Sequence, residues 1–284
     1  MNPLILATIS VTGIGLIVGL VLSVASELLK VEGNPLADEI EALLPGINCG
    51  ACGYSGCAGY AAAMASGDET NVSLCSPGGS DVATALGARL GQDASVGEQM
   101  TAVVRCQGDR EATHNRLSYQ GIKSCRMASQ LLGGPGECRD GCIAFGDCAA
   151  VCPYGAIRIE NEVAVVDPRL CRQCQMCIGV CPKGLITMVT LERQTAVVGC
   201  RNRERGAVAR AQCNRACIAC QLCVRNCPTE AIAMENNRAV IDPDKCINCG
   251  KCVEVCPTKA IFNHPVDSIE KLGEPVIQET KQTA

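Results

Sequence analysis

The chain has 284 residues and a formal charge of −4, with 24 Cys but no Trp, two Phe and four Tyr. So few aromatics exclude an ordinary aromatic-filled core, and the acidic balance speaks against nucleic-acid binding. His114 and His264 are the only histidines, so no catalytic residues for acid–base work on an organic substrate are assigned.

Residues 3–26 read PLILATISVTGIGLIVGLVLSVAS, without a charge. This length predicts a transmembrane helix. A signal peptide would need a basic n-region and a shorter apolar core. Gly15 and Gly19 form a small-residue face suited to another membrane helix. Free thiols in such number need a reducing compartment. Everything after Ser26 is therefore expected on the cytoplasmic side of the cell membrane.

Asn34-Pro35-Leu36 predicts a short amphipathic helix, capped by Asn34, with Leu36, Ile40, Leu43 and Leu44 on one side and Pro45-Gly46 as its end. Cys49-x2-Cys52-x4-Cys57 follows, with Cys75 further on and Gly50, Gly53 and Gly56 between the thiols. Glycine lets the backbone wrap closely and aim N–H groups at sulfur. Residues 58–66 predict a helix that carries the chain back to Cys75. Four thiols suit one iron–sulfur cube, and a zinc knuckle is the alternative use of the same set. Ser80 is a candidate cap for a further helix with Val82, Leu86 and Leu90 on its apolar side. Residues 91–99 read as a linker.

The second half carries three runs of one spacing: Cys171-x2-Cys174-x2-Cys177-x3-Cys181-Pro182, then the same from Cys217 to Pro228 and from Cys246 to Pro257. A stretched version, Cys138-x3-Cys142-x5-Cys148-x3-Cys152-Pro153, precedes them. The 2-2-3 spacing closed by proline is the bacterial ferredoxin pattern: three thiolates grip one cube and the fourth ligates the partner run's cube. Zinc ribbons use separated C-x2-C pairs instead, and ordinary disulfides do not explain such regular neighbours. Iron–sulfur cubes carry single electrons, so this half reads as an electron wire.

The eight cysteines from Cys138 to Cys181 lie over those from Cys213 to Cys256 at a period of 75 residues. Within each repeat, alternation around residues 156–159 and 163–166 predicts a hairpin of two short strands. The register places Phe145 where the second repeat has Cys220. Cys138 is the expected substitute, which leaves Cys213 surplus. Five [4Fe-4S] cubes follow. Cube one takes Cys49, Cys52, Cys57 and Cys75. Cube two takes Cys138, Cys142, Cys148 and Cys181. Cube three takes Cys171, Cys174, Cys177 and Cys152. Cube four takes Cys217, Cys220, Cys223 and Cys256. Cube five takes Cys246, Cys249, Cys252 and Cys227. Cys106, Cys125, Cys200 and Cys213 remain, as buried thiols, alternative ligands or redox pairs. Val103-Val104-Arg105-Cys106 resembles Val197-Val198-Gly199-Cys200, each a predicted strand, whereas the gap-free register pairs Cys125 with Cys200.

Together these elements predict an α+β chain. It has an N-terminal transmembrane helix (1–26), a small, mostly helical [4Fe-4S] domain (32–91), a linker and strand segment (92–132), two tandem 2[4Fe-4S] ferredoxin units (133–191 and 192–266) and a C-terminal tail (267–284). Counting about −2 for each cube makes the chain far more acidic than its formal charge. Against this, Arg193, Arg201, Arg203, Arg205, Arg210 and Arg215 face only Glu204 between residues 193 and 215, a basic segment suited to an acidic partner.

The order of helix, Cys49-Gly50-Ala51-Cys52-Gly53-x3-Cys57 with Cys75, and then ferredoxin runs resembles the B-subunit family of Rnf complexes, over nearly the whole chain. That resemblance implies membrane complexes in which electron transfer between ferredoxin and NAD drives ion movement. It also implies integral membrane subunits, an NAD- and flavin-binding subunit and soluble ferredoxin as partners, the last expected near Arg201, Arg203 and Arg205. A polyferredoxin subunit of a hydrogenase, formate dehydrogenase or corrinoid acetyl-CoA enzyme would explain residues 138–256 alone. An iron–sulfur sensor or scaffold would need a signalling module, and none is visible.

Overall fold

The computed structural model describes residues 3–28, 34–94, 98–191 and 196–273. Helix α1, Pro3–Leu28, forms where the apolar run predicts it, but the transmembrane expectation is corrected. Among the described residues no helix is long and apolar enough to cross a membrane. The part of α1 whose side chains are described, residues 11–26, is almost wholly exposed.

The small helical domain is built on α2 (Pro35–Leu43), α3 (Cys57–Ser66) and α4 (Gly79–Leu90). Asn34 caps α2 by accepting from Leu36 N at 3.0 Å. Ile40, Tyr60, Met64, Val72 and Leu86 form its core, with Cys52, Cys57 and Cys75 packed against them. Ser80 lies inside the first turn of α4 rather than capping it, because a 3-10 turn over Ser76–Gly78 makes Gly78 the preceding residue.

The first ferredoxin unit runs from β1 (Met100–Val104) through α5 (Cys125–Gln130), α6 (Asp147–Ala150), β2 (Ile157–Glu160), β3 (Val163–Val166) and α7 (Met176–Val180) to β4 (Ile186–Thr190). The second runs through β5 (Ala196–Val198), α8 (Gly206–Gln212), α9 (Leu222–Arg225), β6 (Ile232–Glu235), β7 (Arg238–Ile241), α10 (Lys251–Glu254) and β8 (Ile261–Asn263). Each unit holds two antiparallel pairs. The hairpins β2–β3 and β6–β7 turn on Asn161-Glu162 and Asn236-Asn237, all four at positive φ, as a two-residue I′ hairpin requires. The other pairs, β1 with β4 and β5 with β8, join the front of each unit to its back.

These closing pairs resolve the ambiguous register. Arg105 N donates to Leu185 O and Gly199 N to Ala260 O, and residues 185 and 260 are one repeat apart. Cys106 and Cys200 are therefore equivalent, each just past its strand. Between Cys106 and Cys138 the first repeat carries a longer connection than the second does between Cys200 and Cys213, and this extra chain contains α5 with Cys125.

The cores are thin. Ala102, Val104, Ile157, Val166, Leu185 and Ile186 pack directly on Cys148 and Cys177 in the first unit. Ala196, Val198, Ile232, Ile241 and Ile261 pack on Cys223 and Cys252 in the second. Val103, Val189, Val197 and Phe262 join the two closing sheets. The expected tail begins with helix α11 (Val266–Leu272), whose Leu272 packs on Val163 and Val165; residues 274–284 lie outside the described residues.

Candidate cluster-binding sites

The ligand loops share one backbone. In the three regular runs the second and fourth residues after the first cysteine have positive φ: Gln173 and Gln175, Ala219 and Gln221, Asn248 and Gly250. The stretched run repeats this with Ala144 and Gly146 after Cys142. Its loop thus keeps the ligand conformation although Phe145 stands at the thiol position. After each closing cysteine the third residue is left-handed too: Gly155, Gly184, Glu230 and Lys259. Such turns direct successive N–H groups inward, toward negative charge.

The thiols stand around spaces. Cys152, Cys171, Cys174 and Cys177 line one cavity, and Cys217, Cys220, Cys223 and Cys256 another. Cys252 faces Cys246 and Cys249 electrostatically, and Cys227 and Cys246 pack on the same core. In the helical domain Cys75 feels the charges of Cys57, Cys49 and Cys52. Gly56 is required there: a Cβ would come within 2.7 Å of Asn48 Oδ1, which accepts from Cys57 N at 2.7 Å. Among the described residues no three Cys, His, Asp or Glu side chains close on a single metal-ion position.

The second expected set is arranged differently. Cys142, Cys148 and Cys181 share their cavity with Cys125, and Cys138 does not line it. Asp147 places Cys125 there. Its carboxylate accepts from Ser124 Oγ at 2.8 Å, Cys125 N at 2.9 Å and Arg126 N at 3.0 Å, pinning the start of α5 beside Cys148. Although burial pushes the Asp147 carboxyl up, the N–H groups of Arg126 and Cys125 and the Ser124 hydroxyl hold it below its ordinary pKa. Cys138 lines another cavity with Cys106, Cys200 and Cys213, which Cys142 borders as well.

A family model for a 4Fe-4S dicluster domain matches residues 137–185 and again 216–260, and one described as "Putative Fe-S cluster" matches residues 44–77. The chain is 42% identical over 243 residues to the B subunit of the Na(+)-translocating ferredoxin:NAD(+) oxidoreductase complex of Acetobacterium woodii, covering 85% of this chain and 72% of the relative. It is 38% identical over 243 residues to the proton-translocating counterpart of Clostridium ljungdahlii, covering 85% of each. It is also 38% identical over 247 residues to the B subunit of the ion-translocating oxidoreductase complex of Methanosarcina acetivorans, 86% of this chain and 93% of the relative.

The chain belongs to the B-subunit family of Rnf complexes. Its iron–sulfur domains make it an electron-transfer subunit of an oxidoreductase complex. In this member of the Rnf family, burial pushes Cys148, Cys177 and Cys106 up to about 12 and Cys142, Cys223 and Cys252 to about 11. Thiolates so disfavoured by burial need a positive partner to persist. Cys227 is shifted the other way. Burial raises it, but N–H groups of Thr229 and Ala231 and the Thr229 hydroxyl bring it below its ordinary value. Further N–H donors reach Cys171 Sγ from Ala102 N at 3.5 Å and Cys227 Sγ from Ala231 N at 3.3 Å. Four thiols around a space, with N–H donors to sulfur, fit a cube.

Neighbouring sets lie within electrostatic reach of one another. Cys49 of the helical domain acts on Cys174, and Cys177 acts on Cys148. The sequence left Cys125 among the unassigned thiols and did not bring it to the second set's cavity. The signal that could have found it was the length difference between the repeats upstream of Cys138 and Cys213.

Proposed function

We propose that this chain passes electrons between a soluble ferredoxin and the other subunits of an Rnf-type ferredoxin:NAD oxidoreductase, in which electron flow is coupled to ion translocation. The observation that supports this most is the succession of thiol sets, in which Cys49 acts on Cys174 and Cys177 on Cys148. A cube bound in such a set supplies one-electron redox chemistry. The chain supplies thiolates, N–H donors to them and the spacing between sets.

Five [4Fe-4S] cubes are assigned to the helical domain (32–91) and the two ferredoxin units (133–191 and 192–266). Their ligands are Cys49, Cys52, Cys57, Cys75; Cys125, Cys142, Cys148, Cys181; Cys152, Cys171, Cys174, Cys177; Cys217, Cys220, Cys223, Cys256; and Cys227, Cys246, Cys249, Cys252. Cys125 replaces Cys138 in the second set because it lines that cavity. The thiol sets face the reducing, cytoplasmic side of a membrane complex, beside integral subunits and an NAD- and flavin-binding subunit. Ferredoxin docks near Arg203 and Arg205, which are exposed, and the half-buried Arg201.

The test is anaerobic titration of the purified chain with reduced ferredoxin, followed by cluster absorption and EPR. The expected result is bleaching by ferredoxin and reoxidation when the partner subunits and NAD are added. No electron transfer from ferredoxin with all clusters present would overturn the assignment.

A further inference from the structure

Cys106, Cys138, Cys200 and Cys213 are free thiols that no assigned set uses. All four line one cavity of about 200 Å³, with Cys142 of the second set at its edge, against about 20, 20 and 10 Å³ at three of the assigned sets. Cys138 and Cys213 are equivalent in the 75-residue register, and Cys106 and Cys200 by the closing strands. Each ferredoxin unit therefore contributes the same two positions to a cavity at their junction. Gly108 lies against two of them: a Cβ there would be in ordinary van der Waals contact with Cys213 Sγ at 3.4 Å and Cys106 Sγ at 3.6 Å. Cys138 interacts electrostatically with Cys106 and Cys213, and Cys200 with Cys138.

The surroundings match those of the assigned ligands. Cys106 Sγ accepts from Cys142 N at 3.5 Å and from the Gly108 backbone. Cys138 Sγ accepts from Asn202 Nδ2 at 3.5 Å and from the Asp140 backbone. Backbone N–H groups of Cys217 and Asn202 serve Cys200, and that of Arg215 serves Cys213. Donors to every sulfur stabilise thiolates and tune a cluster. Arg201 and Arg215 line the cavity together with Asp140 and Glu162, and Arg215 pairs with Asp109 at 2.6 Å.

We propose that Cys106, Cys138, Cys200 and Cys213 bind a sixth [4Fe-4S] cube at the junction of the two ferredoxin units. Ligation replaces four S–H bonds by four Fe–S bonds and releases four protons, with iron and sulfide supplied as for the other cubes. Six sets of four then use all 24 cysteines. The site lies between the second and fourth sets: Cys142 of one donates its N–H to Cys106, and Cys217 of the other donates to Cys200. It thereby supplies the joint between the two units.

The test is native mass spectrometry with iron and sulfide analysis of the full chain, purified and reconstituted anaerobically. Six cubes, about 24 Fe, are expected. The Cys200→Ser/Cys213→Ser double variant should lose about four Fe and retain about 20. About 20 Fe in both proteins, stoichiometric zinc, or a two-hydrogen mass deficit locating a disulfide among these four residues would overturn the proposal. If the double variant does not fold, alkylation of the wild-type holo-protein decides. Protection of Cys106, Cys138, Cys200 and Cys213 alongside the other twenty is expected, and their selective labelling refutes the site. Ferredoxin reduction of the five remaining cubes tests the functional reading separately.

Discussion

Replacing Asp147 by Ala removes the anchor of α5 without touching a thiol. One carboxylate accepts three bonds, from Ser124 Oγ, Cys125 N and Arg126 N, all between 2.8 and 3.0 Å. At about 1 kcal/mol net per bond, the loss is roughly 3 kcal/mol of local stability, a factor of about 150 in the opening of this turn. Where opening and reclosing are fast, modification follows the population of the open form. Alkylation of Cys125 in the anaerobic holo-protein, timed by mass spectrometry, should therefore accelerate on the order of 100-fold. Cys217, Cys220 and Cys223, in the other unit, should label at the wild-type rate. Asp147→Asn keeps one acceptor and should fall between. A Cys125 rate within about twofold of wild type in Asp147→Ala would refute the claim that this carboxylate holds Cys125 beside Cys148.

Gly56→Ala forces a Cβ to 2.7 Å from Asn48 Oδ1 and should cost about 1–3 kcal/mol, with loss of about four Fe from the helical domain, read by urea unfolding and iron analysis. His264 is buried and its pKa is lowered by that burial to about 4. Below pH 6.5 the unfolded chain takes up a proton that the folded chain refuses, so stability falls with pH until about pH 4. Wild type should lose about 1 kcal/mol between pH 6.5 and 5.5, and His264→Gln should lack that slope in urea titrations at the two pH values. Replacing Arg201, Arg203 and Arg205 by Gln should slow reduction by ferredoxin several-fold at low salt and little when the ~10 Å screening length of 0.1 M salt is shortened further. Stopped-flow rates equal to wild type at low ionic strength, with all clusters retained, would remove the docking site.

The ferredoxin runs were legible because their rule is local. Spacing fixes which residues must turn left-handed, and Gln173, Ala219 and Asn248 do so. Capping at Asn34 and the hairpin at Asn161-Glu162 were legible for the same reason. Cys125 was not. Its position depends on Asp147, 22 residues on, and no periodicity links the two. Cys138 was the nearest thiol in sequence to the gap left by Phe145, but the fold sends it to the other unit's cysteines. The similarity of the segments ending in Cys106 and Cys200 was visible, whereas its meaning came only with the pairings of β1 with β4 and β5 with β8. The apolar run correctly predicted a helix at α1, whereas the membrane span expected of it is not found among the described residues.

Closure of each unit by its own two ends also sets an order of events on the ribosome. Met100–Val104 emerges first, and its partner Ile186–Thr190 is made only after the whole ligand region between them. Throughout that interval the leading strand has an open edge, and open edges pair with any strand nearby. Thin cores built on Cys148 and Cys177 gain most of their cohesion when metal fills them. Iron starvation therefore does more than leave an unloaded wire: it prolongs the life of open-edged nascent chains and turns a shortage of cofactor into a problem of aggregation.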